Sequence, residues 1–533
     1  MPLIPLRPFK TPRRAAAAQV SQLFNVPPPV GGLNYRDPIS DMSPRDALVL
    51  DNFIPRQQGV EIRTGWKYHS SAIEGPVKSL FAYNAAAPAN NKLFAASGGV
   101  IYDVTSGTPT VAVAATGSST GIWWTTQFSN SAGTFLLAVS PNAGYWTYDN
   151  VNGWVNRTAA TVGLPLGVRT VAVWKNRVWF TVENSPTVYY MRSVDAIQGN
   201  ADPFPMGSVL RNGGYCSALI NWTIDSGFSI DDYLVVVGSE GDIGVWQGTD
   251  PTSVSTFGLK GVWFIGPVPR YGTFFTPYGG DVMILSAQGL VPLSKLVGGQ
   301  YNDAMNTQLP SAKIQEVLTP QVDLLIEDQS WDVFLVAYEN ALVLKLPADA
   351  TGTYRQFAMS TVTGAWCTFS NIPMECVATL DGQPYFGTSD GRVALAFFGN
   401  KDGVATDGTG GDHVQAEVQG AFNNFGTPAN LKKFSMARPI FISNEAPSVK
   451  LQLNVQYAFD GVPGSPSFLS TGASLWDGGI WNEAIWAGSV NTYQAWVGVS
   501  GLGYYGSLRM KVKGLSGTVY TSSHVMSEPG GVM

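Results

Sequence analysis

The sequence predicts an all-β protein: a β-propeller of about seven blades, with an extended N-terminal arm before it and a β-sandwich-like domain after it. Charged residues make up only 13% of the chain, while Gly (59) and Pro (34) are abundant, and a three-strand pattern recurs along it. Few charges, many turn formers and many aromatic residues favour short strands joined by tight turns. We therefore expect less than about 15% helix, against a usual share near one third.

Residues 1–35 are predicted to be an extended assembly arm that is not part of the propeller. Prolines at this density prevent a continuous helix and disfavour central strands. They are Pro2, Pro5, Pro8, Pro12, Pro27, Pro28 and Pro29. No acidic residue precedes Asp37, so the basic residues of this stretch have no local counter-charge. They are expected to dock on an acidic neighbour, with a solvated tail as the alternative.

The rest of the chain is mildly acidic. The first 36 residues contain five of the 32 basic residues, which leaves 27 against 38 acidic residues, a balance of −11. The five are Arg7, Lys10, Arg13, Arg14 and Arg36. An acidic body argues against a broad surface that grips nucleic-acid phosphates.

Residues 36–76 are predicted to connect the arm to the propeller through one short helix at residues 43–50. Ser43 is a suitable N-cap residue, and Pro44 suits the first helical position. Asp46 lies where the carboxylate of a capping box belongs.

Residues 77–400 carry the repeat that predicts the propeller. In the clearest unit, turns join three apolar strands: residues 168–174, 177–182 and 187–191. The second strands of the other units are similar, at 92–96, 134–139, 232–237, 281–285, 332–337 and 383–387. These seven units are spaced roughly 42 to 55 residues apart, as propeller blades are. A less regular stack of antiparallel sheets is the alternative.

Two further regions are predicted after the propeller. Residues 401–412 are rich in Gly and Asp and are expected to form a linker. Residues 413–533 are expected to form a separate β-domain, because segments such as 449–457 and 506–513 alternate apolar and polar residues.

No catalytic, cofactor or metal site is predicted. His69, His413 and His524 lie far apart and have no partner at metal-ligand spacing. Residues 387–391 match G-x-S-x-G around Ser389, but a nucleophile elbow leads into a helix. Here the Asp390-Gly turn leads into a strand-like run, so we interpret the match as turn chemistry.

Two other groups have an ordinary structural interpretation beside a functional one. Asp402, Asp407 and Asp412 supply oxygens for a Ca²⁺ site, but their spacing is not that of an EF-hand, and a solvated linker is favoured. The aromatic residues of the C-terminal region are typical of packing more often than of a carbohydrate platform. They are Trp476, Trp481, Trp486 and Trp496.

The cysteines and the apolar runs limit the cellular setting. Cys216, Cys367 and Cys376 are odd in number and form no C-x-x-C pair, so neither a disulfide framework nor a zinc module is expected. No apolar run approaches about 18 residues, so a transmembrane helix is not expected. The first 20 residues lack the apolar core of a signal peptide.

The segment after the arm contains a series of short motifs. They are GGLN at 31–34, DPI at 37–39, SPRDA at 43–47, LDNF at 50–53, GV at 59–60 and RTG at 63–65. This segment resembles the opening of the podovirus nozzle proteins, also called tail tubular protein B or packaged-DNA stabilisation proteins. The ARP at 437–439 is similar to the C-terminal domain of that family. The basic, proline-rich start does not match the family's pattern.

The resemblance implies a non-enzymatic homohexamer in the virion tail, assembled in the host cytoplasm. It would form a conduit that retains packaged DNA and lets it pass during ejection, without sequence-specific binding. Adjoining tail adaptor and tail fibre or spike proteins would be its partners. The alternatives are a propeller glycoside hydrolase, which needs two carboxylates facing one pocket, and a propeller lectin or receptor-binding module. A hexameric mass in solution favours the nozzle, and a monomeric mass favours the alternatives.

Overall fold

The computed structural model describes residues 21–225, 230–253, 255–299, 309–322, 330–470 and 490–530. Strands account for 50% of the chain and helices for 4%, which confirms the predicted all-β class. The chain begins with short strands that form no sheet of their own. They are β1 (Gln22–Val26), β2 (Gly32–Leu33), β3 (Asp46–Asp51), β4 (Phe53–Pro55), β5 (Val60–Ile62) and β6 (Lys67–Tyr68).

The short helix predicted at residues 43–50 is wrong, because this stretch leads into β3. The burial pattern of β3 is that of a strand packed into a core rather than of an amphipathic helix. The carboxylate of Asp46 accepts hydrogen bonds from Asn34 (2.7 Å) and Lys313 (2.8 Å). The local capping signal is therefore overridden by tertiary pairing of the strand.

The propeller follows as a series of antiparallel meanders. The first two blades are β7 (Ser79–Tyr83), β8 (Lys92–Ser97), β9 (Val100–Asp103), β10 (Thr110–Val113), and β11 (Trp124–Asn130), β12 (Gly133–Ser140), β13 (Gly144–Asp149), β14 (Gly153–Asn156). The third and fourth are β15 (Thr161–Val162), β16 (Val168–Trp174), β17 (Arg177–Val182), β18 (Thr187–Met191), β19 (Gly199–Pro205), and β20 (Cys216–Asp225), β21 (Ile230–Gly238), β22 (Asp242–Gly248), β23 (Phe257–Phe264).

The remaining meanders contain shorter strands and the two α-helices. They are β24 (Phe275–Tyr278), β25 (Asp281–Ser286), β26 (Gly289–Pro292), with α1 (Leu293–Val297) and α2 (Gln315–Val322); then β27 (Asp332–Val336), β28 (Ala341–Lys345), β29 (Gln356–Ser360), β30 (Trp366–Phe369); and β31 (Cys376–Leu380), β32 (Gln383–Gly387), β33 (Val393–Leu395). The ring closes where β31 packs against β7.

The blade count differs slightly from the predicted seven. Six blades are sheets separate from the C-terminal domain, whereas β27–β30 belong to a nine-stranded sheet that continues into that domain. The buried ammonium of Lys345, at the end of β28, donates to the carbonyl of Glu375 and to the hydroxyl of Ser330. This contact joins the shared meander to the last blade.

The predicted linker at 401–412 is also wrong. Residues 401–413 form a hairpin of β34 (Lys401–Val404) and β35 (Gly410–His413), and β34 pairs with β6 beside the last blade. Left-handed backbone at Gly408 and Gly410 makes the tight turn possible. The turn residues that suggested a flexible connection therefore close a strand pair.

Two sheets make up the C-terminal domain. Its own strands are β36 (Gln415–Gly420), β37 (Lys432–Ser443), β38 (Ser448–Val455), β39 (Asn491–Gln494), β40 (Val497–Gly503), β41 (Gly506–Lys513) and β42 (Val519–Pro529). One sheet contains β2, β3, β36, β41 and β38, and the other contains β1, β4, β5, β37, β39, β40 and β42. Both sheets thus depend on strands from the first 62 residues, and one hydrophobic core extends from this domain into the adjoining blades.

The last 14 residues of the predicted arm, 22–35, are not a free extension, because β1 and β2 belong to the sheets of the C-terminal domain. β1 pairs antiparallel with β42 over five residue pairs, from Gln22↔Ser527 to Val26↔Ser523, and Phe24 packs against Phe425 with ring centroids 5.3 Å apart. Residues 1–20 lie outside the described part of the chain.

Truncation tests this arrangement. A chain that begins at residue 36 loses β1 and β2, so we expect its thermal unfolding midpoint to fall by several degrees. A chain that begins at residue 21 keeps every β1–β42 pair and is the matched reference, and differential scanning calorimetry compares the two. Equal midpoints would contradict a structural role for β1.

Candidate functional site

The motif residues from the start of the chain meet at a buried polar junction between the propeller and the C-terminal domain. The side chain of Arg63 is fully buried and donates two hydrogen bonds, both 2.8 Å, to the carboxylate of Asp402. Its Nε donates to Asn52 Oδ1 at 2.7 Å, and its Nη2 donates to the carbonyl of Ser370 at 2.8 Å. A buried arginine with this many partners is satisfied in charge and in hydrogen bonding.

Asn52 is the hub of the junction. It lies between β3 and β4 in the left-handed conformation (φ 57°), which Asn tolerates better than most residues. Its N–H donates to the carbonyl of Thr368 in β30, and its Nδ2 donates to the carbonyl of Gln415 in β36, both at 2.8 Å. Asn52 therefore ties the shared meander to the C-terminal sheet.

Asp51 and Gly65 complete the junction. Burial raises the pKa of the Asp51 carboxyl above its ordinary value, although the hydroxyls of Ser370 and Thr368 donate to it. Gly65 lies so close to the main chain of Lys401 that a Cβ would clash with its carbonyl oxygen. Residues of the LDNF and RTG motifs thus lie together in this buried junction.

The inner strands of the propeller enclose small cavities along its axis. One, of about 290 Å³, lies between β7, β11 and β31, and a second, of about 230 Å³, lies between β11, β16, β20 and β24. Both are at or below the lower end of the range of small-molecule pockets.

The three histidines lie in different elements with different partners. His69 Nε2 lies 2.9 Å from the carbonyl oxygen of Val104, and His524 Nδ1 lies 2.8 Å from Arg438 Nη2. His413 packs its ring against Phe468, and burial followed by the charge of Lys401 lowers its pKa. Among the described residues, no three His, Cys, Asp or Glu side chains are grouped as metal ligands.

Ser389 lies in an exposed turn between two strands, β32 and β33, as the sequence predicts. Thr388 organises this turn: its hydroxyl donates to the carbonyl of Arg392 (2.8 Å) and accepts from the Arg392 N–H (3.0 Å). A nucleophile elbow requires a helix after the turn, which this strand–turn–strand unit does not provide.

The three aspartates of the proposed Ca²⁺ site have separate roles. Asp402 pairs with Arg63, Asp412 pairs with Lys513, and Asp407 accepts hydrogen bonds from Thr409 in the hairpin turn. This distribution disfavours a shared cation.

The remaining candidates are only partly in the described residues. Trp496 is exposed, with the guanidinium of Arg438 4.7 Å from its ring centroid, whereas Trp476, Trp481 and Trp486 lie outside the described part. The three cysteines are buried and unpaired. Burial raises the pKa of Cys216 to about 12, and it also raises the pKa values of Cys367 and Cys376.

No protein-family model matches the sequence, and no curated protein matches it. The WD40 β-propeller domain of Doa1 is similar, with a TM-score of 0.37 and 11% identity, over 62% of this chain and 96% of that domain. The computationally designed Ika8 protein is similar with a TM-score of 0.36 and 13% identity, over 63% of this chain and 100% of the Ika8 chain. Chaetomium thermophilum Raptor is similar with a TM-score of 0.39 and 10% identity, over 64% of this chain and 29% of the Raptor chain. These structural similarities give no information about function.

The junction makes a stability prediction. Asp402→Asn removes the counter-charge of a buried arginine, so we expect the free energy of unfolding to fall by about 3 to 5 kcal/mol. Asp202→Asn removes the partner of the exposed Arg192 and is expected to leave the free energy of unfolding nearly unchanged. Urea denaturation of both variants checks this, and equal effects would contradict the role of the junction.

Ser389 provides a separate prediction. Ser389→Ala is expected to change the free energy of unfolding by under about 1 kcal/mol and to leave every function intact, because an exposed turn hydroxyl carries little stability. A serine-hydrolase probe applied to the wild-type chain is expected to leave Ser389 unmodified. Covalent labelling, read by peptide mass spectrometry, would overturn this interpretation.

Proposed function

We propose that the protein is the nozzle subunit of a short bacteriophage tail, a homohexamer that retains packaged DNA and lets it pass during ejection. The main support for this proposal is that two motifs of the resemblance, LDNF and RTG, form the junction between the propeller and the C-terminal domain. Residues that determine how two domains are joined determine the shape of a ring-forming subunit. The proposed role is structural, and it needs no cofactor.

In this proposal DNA passes between subunits rather than through a propeller. The axial cavities of about 290 and 230 Å³ are of small-ligand size and do not admit a duplex. The conduit is then the space that several subunits enclose. The acidic balance of the body suits such a channel, because it offers few cations to hold the phosphates.

The edge of the C-terminal sheet formed by β39 and β40 is the face we assign to a neighbouring copy. Among the described strands, these two pair only with β37, so they form one edge of that sheet. Val490 and Leu502 are 65% and 60% exposed there, and Trp496 is 37% exposed. Strand edges and large apolar side chains are features that permanent interfaces cover.

The proposal places the protein in the virion tail, after assembly in the host cytoplasm. Its partners are further copies of itself and the adjoining tail adaptor and tail fibre or spike proteins. Within the described residues, no helix is long and apolar enough to cross a membrane.

The mass of the assembly in solution tests this function. We expect the wild-type chain to be a hexamer in light scattering after size-exclusion chromatography. Leu502→Glu puts a charge into the proposed interface and is expected to give smaller species at the same concentration. Val151→Glu, at a side chain 91% exposed in the turn between β13 and β14, is the control and is expected to stay hexameric.

Circular dichroism of both variants establishes that they keep the fold. A monomeric wild-type chain would contradict the nozzle proposal and favour a propeller lectin or hydrolase. A hexameric Leu502→Glu variant would contradict the assigned face alone.

A further inference from the structure

Two neighbouring blades carry a β-bulge at the same place, the start of the inner strand. In β16, Val168 pairs with Val182 and Thr170 with Thr181, so Arg169 is the extra residue. In β20, Cys216 pairs with Gly238 and Ala218 with Val237, so Ser217 is the extra residue. A bulge redirects the side chain of the inserted residue, and bulges are common beside functional sites.

Arg169 is buried and has no counter-charge among the residues that the structure describes. It is 6% exposed, and its guanidinium lies 5.0 Å from the ring centroid of Tyr215 and 5.2 Å from that of Tyr271. Within the described part of the chain, no carboxylate pairs with Arg169 and its Nη1 has no hydrogen-bond partner. Two aromatic faces compensate only part of the cost of burying this charge.

Both bulge residues line one cavity of about 90 Å³ at the same end of the propeller. The hydroxyl of Ser217 and the indole N–H of Trp123 belong to the same lining, and neither has a hydrogen-bond partner among the described residues. Both residues are more than nine-tenths buried. The cavity therefore gathers three buried polar groups whose hydrogen-bonding capacity is unused.

The charges around the cavity are unbalanced. Arg169 and Arg270 both line it, but Glu183 is the only carboxylate among the described residues of its lining. That carboxylate is already 3.6 Å from Arg270. Within the described ranges, the positive charge of Arg169 is therefore left without a negative partner.

We propose that this cavity binds a small oxyanion of the carboxylate or phosphate class, held by Arg169 with Ser217 and Trp123. Guanidinium and indole groups only donate hydrogen bonds, so the ligand must accept them. A cation is excluded by the charge of Arg169. An apolar molecule would leave the donors unpaired, and water would satisfy them without balancing the charge. The inference is independent of the nozzle proposal.

Thermal unfolding of the full-length protein with inorganic phosphate or acetate tests the site, with chloride added to keep ionic strength constant. We expect a saturable rise in the unfolding midpoint with at least one anion. Arg169→Gln is expected to weaken that response at least tenfold, because it removes the charge and the planar fork. Arg192→Gln removes an exposed charge from the same blade and is expected to respond as the wild type does.

Glu183→Gln gives a test that does not depend on a damaged variant. Removing the carboxylate of Glu183 from the lining should strengthen anion binding several-fold, and damage to the fold cannot produce such a gain. The stronger of the phosphate and acetate responses identifies the ligand class. Three outcomes would each overturn the site: no saturable response to either anion, equal responses of wild type and Arg169→Gln, or no strengthening in Glu183→Gln.

Discussion

The buried ion pair of Arg63 and Asp402 is the interaction on which the arrangement of the molecule depends. The two residues are 339 positions apart in the chain, and the pair brings the segment after β5 to the hairpin after the last blade. Two charges lose their hydration here, so the pair is tolerable only in one geometry, with every donor satisfied. Its main effect is to fix a single relative placement of the propeller and the C-terminal domain.

The shared core and the shared sheet make this placement rigid. The nine-stranded sheet runs from the β27–β30 meander into the C-terminal domain, and Asn52 is bonded to both parts. The two regions therefore lack the open, polar boundary that usually permits domain motion. In the proposed ring, a rigid subunit of this kind would keep its angle to its neighbours, as a closed ring requires.

The sequence predicts well what is local and poorly what is distant. The blades were predictable because strands such as β16 and β17 are joined by a two-residue turn and pair with their neighbours in the chain. The helix at residues 43–50 was predicted wrongly. Its capping signal is local, whereas this stretch forms β3, whose pairing partner β36 lies far along the chain. The arm was predicted too long for the same reason.

The candidate sites follow the same division. The turn at Ser389 was predictable from Asp390 and Gly391 alone. The junction was visible only as motifs, because nothing in LDNF or RTG indicates that Asp402 is the partner of Arg63. Arg169 was visible as a lone charge in the apolar run of β16. Its bulge, and the matching bulge at Ser217, depend on strand register, which alternation does not specify at a single residue.

The dependence of the C-terminal domain on both ends of the chain has a consequence for synthesis. β1 leaves the ribosome early, but its partner β42 follows roughly 500 residues later. At synthesis rates of about 5 to 20 residues per second, this delay is about 25 to 100 s. During that interval the early blades can form, because their strands pair with neighbours in the chain. The edges of β1 and β5 stay unpaired until β42 is synthesised. A prematurely terminated chain never covers those edges, so a chain that lacks β42 cannot form the finished C-terminal domain.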